Sequence, residues 1–174
     1  MKSKPSTSSR LGDVKPGSIN WIRIALALFV VILYGQVISF DFTLDDDSVY
    51  ANNELVQKGA TNIVSIFSHS SLGVASENTV NHPYRPVTMF SFALDKTLLN
   101  ATSNGAHLVN LLLYLLLIQV LFSLLRKLFP GISAWVIAGM TLLYAAHPVH
   151  SEVVASIKSR DEILAALFGF LAWI

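Results

Sequence analysis

The sequence contains no cysteine, and only 13% of its 174 residues are charged. The lack of thiols excludes a disulfide scaffold, a thiol nucleophile, an iron–sulfur cluster and a cysteine zinc site. A soluble domain carries roughly 25% charged residues, so the charge content argues against a soluble globular fold. The formal net charge is +1, which gives no reason to expect a nucleic-acid partner.

Hydrophobic residues make up 53% of the chain, and the mean hydropathy is +0.56. A disordered chain needs low hydrophobicity and high net charge, so disorder is excluded. About 20 apolar residues cross a bilayer core of ~30 Å as a helix. Four apolar runs predict membrane helices at residues 21–40, 106–125, 132–146 and 163–174.

The predicted fold is an all-α polytopic membrane protein with three full transmembrane helices and the start of a fourth. Residues 163–174 would rise only ~18 Å as a helix. The sequence therefore predicts that residues 21–174 form the N-terminal part of a larger membrane protein. A cleaved signal peptide is the alternative for the first run, but Val37-Ile38-Ser39-Phe40 is a poor cleavage site.

The orientation follows from lysine and arginine, which favour the cytoplasmic side of short loops. Basic residues precede or open the first run, and Arg126 and Lys127 follow the second. Residues 1–20 are thus predicted to be a flexible cytoplasmic tail. Two outer loops follow, at residues 41–105 and 147–162, and the larger one is expected to contain short interfacial helices. Because both loops lie on one face, their side chains can converge on one site.

An acidic run follows the first predicted span and contains Asp41, Asp45, Asp46 and Asp47. Clustered carboxylates repel one another, and they are unfavourable beside a low-dielectric boundary. One interpretation is a general base or a metal site with oxygen ligands. The other interpretation is a solvated run that marks the end of the span.

Arg85 precedes Pro86, which suits the first position of a helix. Val87, Phe90, Leu94 and Leu98 would share one face of that helix, so the pattern predicts an amphipathic helix in the membrane interface. The fork geometry of Arg85 suits a phosphate group. Contact with ordinary lipid headgroups is the alternative.

His147, His150 and Glu152 follow the third predicted span. Two histidines three residues apart suit a metal only when further ligands exist, and no zinc pattern is present. We therefore predict no metal and expect the histidines to form hydrogen bonds in a polar pocket. Glu152 is the better candidate for an acid, a base or an orienting group.

Ser159 and Glu162 fit a capping box at the start of the fourth predicted span. Arg160 has no such explanation, because a cation at a helix N-terminus is mildly unfavourable. An anion is therefore expected beside Arg160, either a carboxylate or a phosphate. A carboxylate partner would come from Glu152 or from the acidic run.

A family likeness is carried by five short stretches taken in order. They are LDDDSVY at 44–50 with Asn53 after it, YRPVT at 84–88, HLVN at 107–110, HPVHSE at 147–152 and RDE at 160–162. Together they resemble the N-terminal membrane portion of the transmembrane and tetratricopeptide-repeat O-mannosyltransferases. The run IKSRDE at 157–162 looks closer to the bacterial branch of that family.

The resemblance implies transfer of a sugar, mannose in this family, from a polyprenyl-phosphate donor to a protein hydroxyl, with inversion, on the outer face. It implies that Asp45 and Asp46 are the catalytic acids, with Asp47 as an additional acid beside them. Arg85 and Arg160 are the outer-face arginines available to bind the donor phosphate, and His147, His150 and Glu152 are further substrate-binding candidates. No cofactor is expected besides the donor.

The implied partners are membrane lipid, the lipid-linked sugar donor and a protein acceptor, with tetratricopeptide repeats downstream. The implied location is a multi-pass protein in a bacterial inner membrane, with the endoplasmic reticulum membrane as the alternative. Two other functions fit the same features. One is a non-catalytic scaffold for tetratricopeptide-repeat interactions, and the other is a different lipid-linked sugar polymerase or ligase.

Overall fold

A computed structural model of the chain describes residues 16–43, 46–69, 84–100 and 102–174. These residues form helices and turns, with no strand among them. The long elements are α1 (Pro16–Tyr34), α4 (Pro86–Leu99), α5 (Ser103–Leu128), α6 (Ala134–Ala145) and α8 (Arg160–Trp173). The short elements are α2 (Glu54–Gln57), α3 (Ile63–Ser68) and α7 (Val149–Ala155). Two 3₁₀-helical turns lie at Gly35–Ser39 and Ala60–Asn62, and a wider π-helical turn lies at Asp47–Ala51.

Two helical segments are long and apolar enough to cross a membrane, Ser18–Ser39 and Ser103–Leu128. They contain 22 and 26 residues and agree with the first two predicted spans. The third predicted span, residues 132–146, is a helix of only 12 residues. It rises ~18 Å, which is less than the hydrocarbon core. Three full spans are therefore not confirmed.

Helix α6, which corresponds to the third predicted span, is short because of the residues at its ends. Ser133 caps α6 by accepting a hydrogen bond from the backbone N–H of Trp135. Pro148 restricts His147, which disfavours continuation of the helix. The residues of the predicted fourth span form helix α8, which begins at Arg160 rather than at residue 163, and their placement in a membrane stays a prediction.

Helix α5 is central, because it packs against α1, α6, α7 and α8. Ile22, Leu26 and Val30 of α1 recur every four residues and are buried. This spacing places them on one helical face, which packs into the same core as Tyr114 and Phe122 of α5. The apolar side chains of α1 that remain exposed are available to lipid.

Polar contacts link α1 to α5 near the predicted cytoplasmic end. The Arg23 guanidinium donates to Gln119 Oε1 at 3.3 Å and to Ser123 Oγ at 2.7 Å. Gln119 Nε2 donates in return to the backbone carbonyl of Arg23 at 3.0 Å. Polar side chains that bond across helices stabilise helix association in membranes. We call these three residues the Arg23 clamp.

A second link joins three helices at the predicted outer end. The hydroxyl groups of Tyr34 and Tyr114 both donate to the carbonyl of Ala145, at 2.9 and 3.1 Å. The two rings meet edge to face, with their centroids 5.5 Å apart. These contacts fix the ends of α1 and α6 against α5.

A buried ion pair lies beneath the outer elements. Arg160 is 0% exposed, and its Nη1 lies 2.7 Å from Asp95 Oδ2. Arg160 also donates from Nε to Asn110 Oδ1 at 2.6 Å and from Nη2 to the carbonyl of Ala106 at 3.1 Å. Burial raises the pKa of Asp95, and the charge of Arg160 opposes this shift. The pair therefore joins α8 to α4 and α5.

Helix α4 begins at Pro86, close to the predicted start. Its core face, however, is formed by Met89, Phe92 and Ala93. The predicted apolar stripe points outward instead, since Leu94 and Leu98 are exposed. The helix is therefore apolar on two sides, and its placement in the membrane interface stays a prediction.

Replacing Asp95 with leucine should strongly destabilise the protein. The change leaves Arg160 buried without a counter-charge, which costs about 3–5 kcal/mol. Adding Arg160→Met should recover part of this loss, because the uncompensated charge is removed. The measurement is thermal or denaturant unfolding in detergent.

Asp161→Asn is the matched control, because Asp161 also pairs with an arginine but in a partly exposed position. It should cost no more than about 1 kcal/mol. Equal effects of Asp95→Leu and Asp161→Asn would contradict the central role of the buried pair.

Candidate active site

A cavity of about 600 Å³ lies where the two predicted outer segments meet. Its walls come from the segment after α1, the start of α4, helix α7 and the start of α8. Among the described residues, the charged groups on its lining are Arg85, Glu152, Lys158, Asp161 and Glu162. Both signs of charge thus face one open space.

Asp46 holds the two outer segments together. Its Oδ1 accepts from the backbone N–H of Lys158 at 2.9 Å. Its Oδ2 accepts from the backbone N–H and the hydroxyl of Thr43, at 3.2 and 3.0 Å. Thr43 and Lys158 both line the cavity, whereas Asp46 is 1% exposed and lies behind them. This geometry supports a structural role for Asp46 better than the predicted catalytic one.

The other acids of the run differ from Asp46. Asp41 and Asp47 are exposed to solvent. Asp45, the other predicted catalytic acid, lies outside the described residues. The acidic run is therefore not uniformly solvated, because one of its members is buried and fully bonded.

Arg85 is placed as the sequence predicts, directly before α4 and on the cavity wall. Its Nη1 lies 2.9 Å from Asp161 Oδ2, and its side chain is 35% exposed. Arg85 can therefore reach a ligand in the cavity. A bound phosphate would share the guanidinium with Asp161 or displace that carboxylate.

Arg160 is not brought to the cavity. Its anionic partner is Asp95 of α4, rather than Glu152 or the acidic run. All three of its side-chain nitrogens have protein partners, and Phe92 covers the guanidinium at 4.7 Å. The structure therefore gives Arg160 a structural environment, and we do not retain it as a phosphate ligand.

The capping box predicted at Ser159 and Glu162 is absent. The Ser159 side chain makes no capping bond, because its ψ angle of 9° is far from the extended conformation of an N-cap. Glu162 instead lines the cavity.

The three predicted site residues in and before α7, namely His147, His150 and Glu152, have different surroundings. Glu152 lines the cavity and is exposed. His150 packs on the ring of Tyr144, with centroids 4.4 Å apart, and burial lowers its pKa. His147 Nδ1 accepts from the backbone N–H of Val149 at 3.3 Å. The two histidines therefore belong to an aromatic cluster and not to the cavity lining.

No group of three or more histidine, aspartate or glutamate side chains is placed to hold a metal ion within the described parts of the chain. Sequence reasoning missed Phe40, Thr43 and Asp161 as cavity residues. Phe40 and Thr43 come directly after the first span, and this proximity was the signal that could have identified them. Nothing in the local pattern of Asp161 distinguished a partner of Arg85 from an ordinary residue of a first helical turn.

Comparisons with known proteins give relatives that cover most of the chain. It is 34% identical to "Protein O-mannosyl-transferase F38B6.6" of Caenorhabditis elegans over 98% of its length, and 30% identical to human "Protein O-mannosyl-transferase TMTC4" over 94%. It is also 34% identical to human "Protein O-mannosyl-transferase TMTC1" over 82%. The matched regions are 26%, 24% and 16% of those proteins, so the chain spans about a quarter of their length or less. No family model and no solved structure matches the chain.

Replacing Asp46 with asparagine should lower stability even without substrate. The amide would place an N–H donor against one of the groups that now donate to the carboxylate, so a buried donor loses its partner. The expected loss is about 1–3 kcal/mol. Asp47→Asn is the control and should change stability by less than about 0.5 kcal/mol, because Asp47 is exposed. Equal unfolding temperatures for the two variants would contradict this role of Asp46.

Proposed function

Because the chain belongs, over the segment that it spans, to the TMTC family of protein O-mannosyl-transferases, we propose that its cavity is part of a glycosyltransferase active site. The proposed reaction moves a hexose, mannose by family, from a polyprenyl-phosphate donor to a hydroxyl group of a protein. The observation that carries the proposal is the convergence of Arg85, Lys158 and Glu152 on one cavity at the ends of apolar helices.

The chemistry of this transfer needs two kinds of groups. A base must take the proton of the acceptor hydroxyl as its oxygen attacks the anomeric carbon. The bond from that carbon to the donor phosphate breaks at the same time, and the leaving phosphate needs positive charge or hydrogen-bond donors. Arg85 and Lys158 supply cations on the cavity wall, and carboxylates lie near them.

We assign the base to Asp45. It directly precedes Asp46 in the sequence, and Asp46 is fixed behind the wall that Thr43 and Lys158 form. The family motif also pairs these two acids. In this proposal Asp46 positions the segment, and Asp45 performs the proton transfer.

The phosphate of the donor is assigned to Arg85. An arginine binds phosphate through two parallel hydrogen bonds, a geometry that lysine does not reproduce. Arg85 already holds a carboxylate at 2.9 Å, which has a similar arrangement of acceptor oxygens. A position at the headgroup level, where a lipid phosphate would lie, is part of this proposal and is supported by the location of Arg85 directly before α4.

The proposed setting is a membrane whose outer or lumenal face carries the cavity. The bacterial inner membrane and the endoplasmic reticulum membrane both meet this requirement. The proposed partners are membrane lipid, the lipid-linked donor and a protein acceptor, with tetratricopeptide repeats in the remainder of a longer protein.

Asp45→Asn in the longer protein should abolish most sugar transfer. Loss of a positioned base lowers the rate on the order of 10²–10⁴-fold. The assay follows radiolabelled sugar from a polyprenyl-phosphate donor to protein, and expression and unfolding temperature should stay unchanged. Asp47→Asn serves as the control with near-normal rates. Near-normal transfer by Asp45→Asn would indicate another base, and no transfer by the wild type would favour the non-catalytic scaffold.

Arg85→Lys should weaken donor binding about ten-fold, because one charge-assisted hydrogen bond is lost. The measurement is the KM for the donor lipid, with kcat and unfolding temperature recorded in parallel. Lys96→Arg changes a basic residue of α4 that does not line the cavity, and it should leave the KM unchanged. A normal donor KM for Arg85→Lys would contradict the phosphate assignment.

A further inference from the structure

His107 is a fully buried histidine whose ring makes no hydrogen bond of normal geometry with the described residues. It is 0% exposed, and the backbone of Asp41 approaches the ring without bonding Nδ1 or Nε2 at full hydrogen-bond geometry. A buried polar group without a partner is costly, and in native proteins it usually marks a bound water, a ligand or a strained functional site. Replacing the ring with an apolar side chain would remove this cost, so packing alone does not explain a histidine here.

His107 lies directly behind the cavity wall. It belongs to the second turn of α5, and its ring meets the ring of Phe40 edge to face at 6.4 Å. Phe40 lines the cavity and is 41% exposed. The Phe40 ring therefore lies between the cavity and the imidazole of His107.

Hydrogen bonds hold the backbone at Phe40, whereas its side chain is partly exposed and contacts His107 only through a ring contact. Ser103 donates its hydroxyl to the carbonyl of Phe40 at 2.6 Å, and the Phe40 N–H donates to the carbonyl of Val37 at 3.0 Å. Asn104 fixes the carbonyl of Ile38 at 2.7 Å. Rotation of the Phe40 side chain alone would therefore open the cavity toward His107 without moving the chain.

We propose that His107 forms a second subsite of the cavity, reached when the Phe40 ring turns aside, and that it binds a hydroxyl group of a substrate. This inference rests on the proposed transfer reaction. A neutral imidazole offers one N–H donor and one acceptor nitrogen. A hydroxyl group also both donates and accepts, so it can bind either nitrogen. A phosphate offers acceptors only and would fit Arg85 on the cavity wall better.

Two substrates of the proposed reaction carry hydroxyl groups, the sugar of the donor and the serine or threonine of the acceptor. The test uses the full-length protein with His107→Leu and His107→Gln. Leucine removes both polar atoms, whereas glutamine keeps a donor and an acceptor. His69→Leu is the matched control, because His69 directly follows α3 and does not line the cavity.

His107→Leu should raise the KM for one substrate by about 3- to 10-fold, which is the effect of one lost hydrogen bond. Its unfolding temperature should be equal to or higher than that of the wild type, because an unpaired buried group is gone. His107→Gln should restore part of the affinity. A raised donor KM identifies the sugar as the ligand, and a raised acceptor KM identifies the protein hydroxyl.

Binding of polyprenyl-phosphate mannose and of polyprenyl phosphate is measured in the same samples. If the sugar binds at His107, His107→Leu should weaken only the sugar-bearing lipid. If the wild-type protein binds the sugar-bearing lipid without transferring its sugar, the proposed reaction is contradicted. The comparison of the two lipids would still show whether His107 binds the sugar. Unchanged binding and unchanged KM values in His107→Leu would overturn the inference. A lower unfolding temperature with normal KM values would do so as well, since it would indicate a structural role.

Discussion

The buried ion pair between Arg160 and Asp95 determines where the outer elements lie. A guanidinium removed from water must find a counter-charge and further acceptors, or the fold loses several kcal/mol. Asp95 of α4 supplies the charge, while Asn110 and Ala106 of α5 supply the acceptors. Because Arg160 opens α8, these bonds also fix the turn before it. Lys158 in that turn then meets Asp46, and the wall of the cavity is complete.

Much of the arrangement was predictable from composition and spacing. Two long apolar runs gave the two candidate spans, and Pro86 gave the start of α4 because proline suits the first helical turn. The placement of basic residues predicted that both acidic and histidine-bearing segments share one face. Residues of both segments line one cavity, and the side of the membrane on which it lies stays a prediction. These features depend on local chemistry or on hydropathy, which a sequence shows directly.

The remaining features depend on which distant residues become neighbours. The sequence predicts that Arg160 needs an anion beside it. It does not identify the partner, because Asp95 lies 65 positions earlier in the chain. The same is true of Asp46, whose hydrogen bond to residue 158 spans 112 positions. Helix α4 has apolar residues on two sides, so periodicity alone selected the exposed side as its principal apolar face. Where two faces of a helix are similarly apolar, tertiary packing decides which of them is buried.

The Arg23 clamp has a consequence for the biosynthesis of the protein. Arg23 and its partner Gln119 are 96 residues apart, so α1 leaves the ribosome well before α5 exists. At about 5–20 residues per second, this interval lasts roughly 5 to 20 s. During that time the Arg23 side chain must extend toward the headgroups of the predicted cytoplasmic side to keep its charge hydrated. When α5 packs against α1, Gln119 and Ser123 replace water and headgroups as the hydrogen-bond partners of Arg23. The final position of α1 therefore depends on α5.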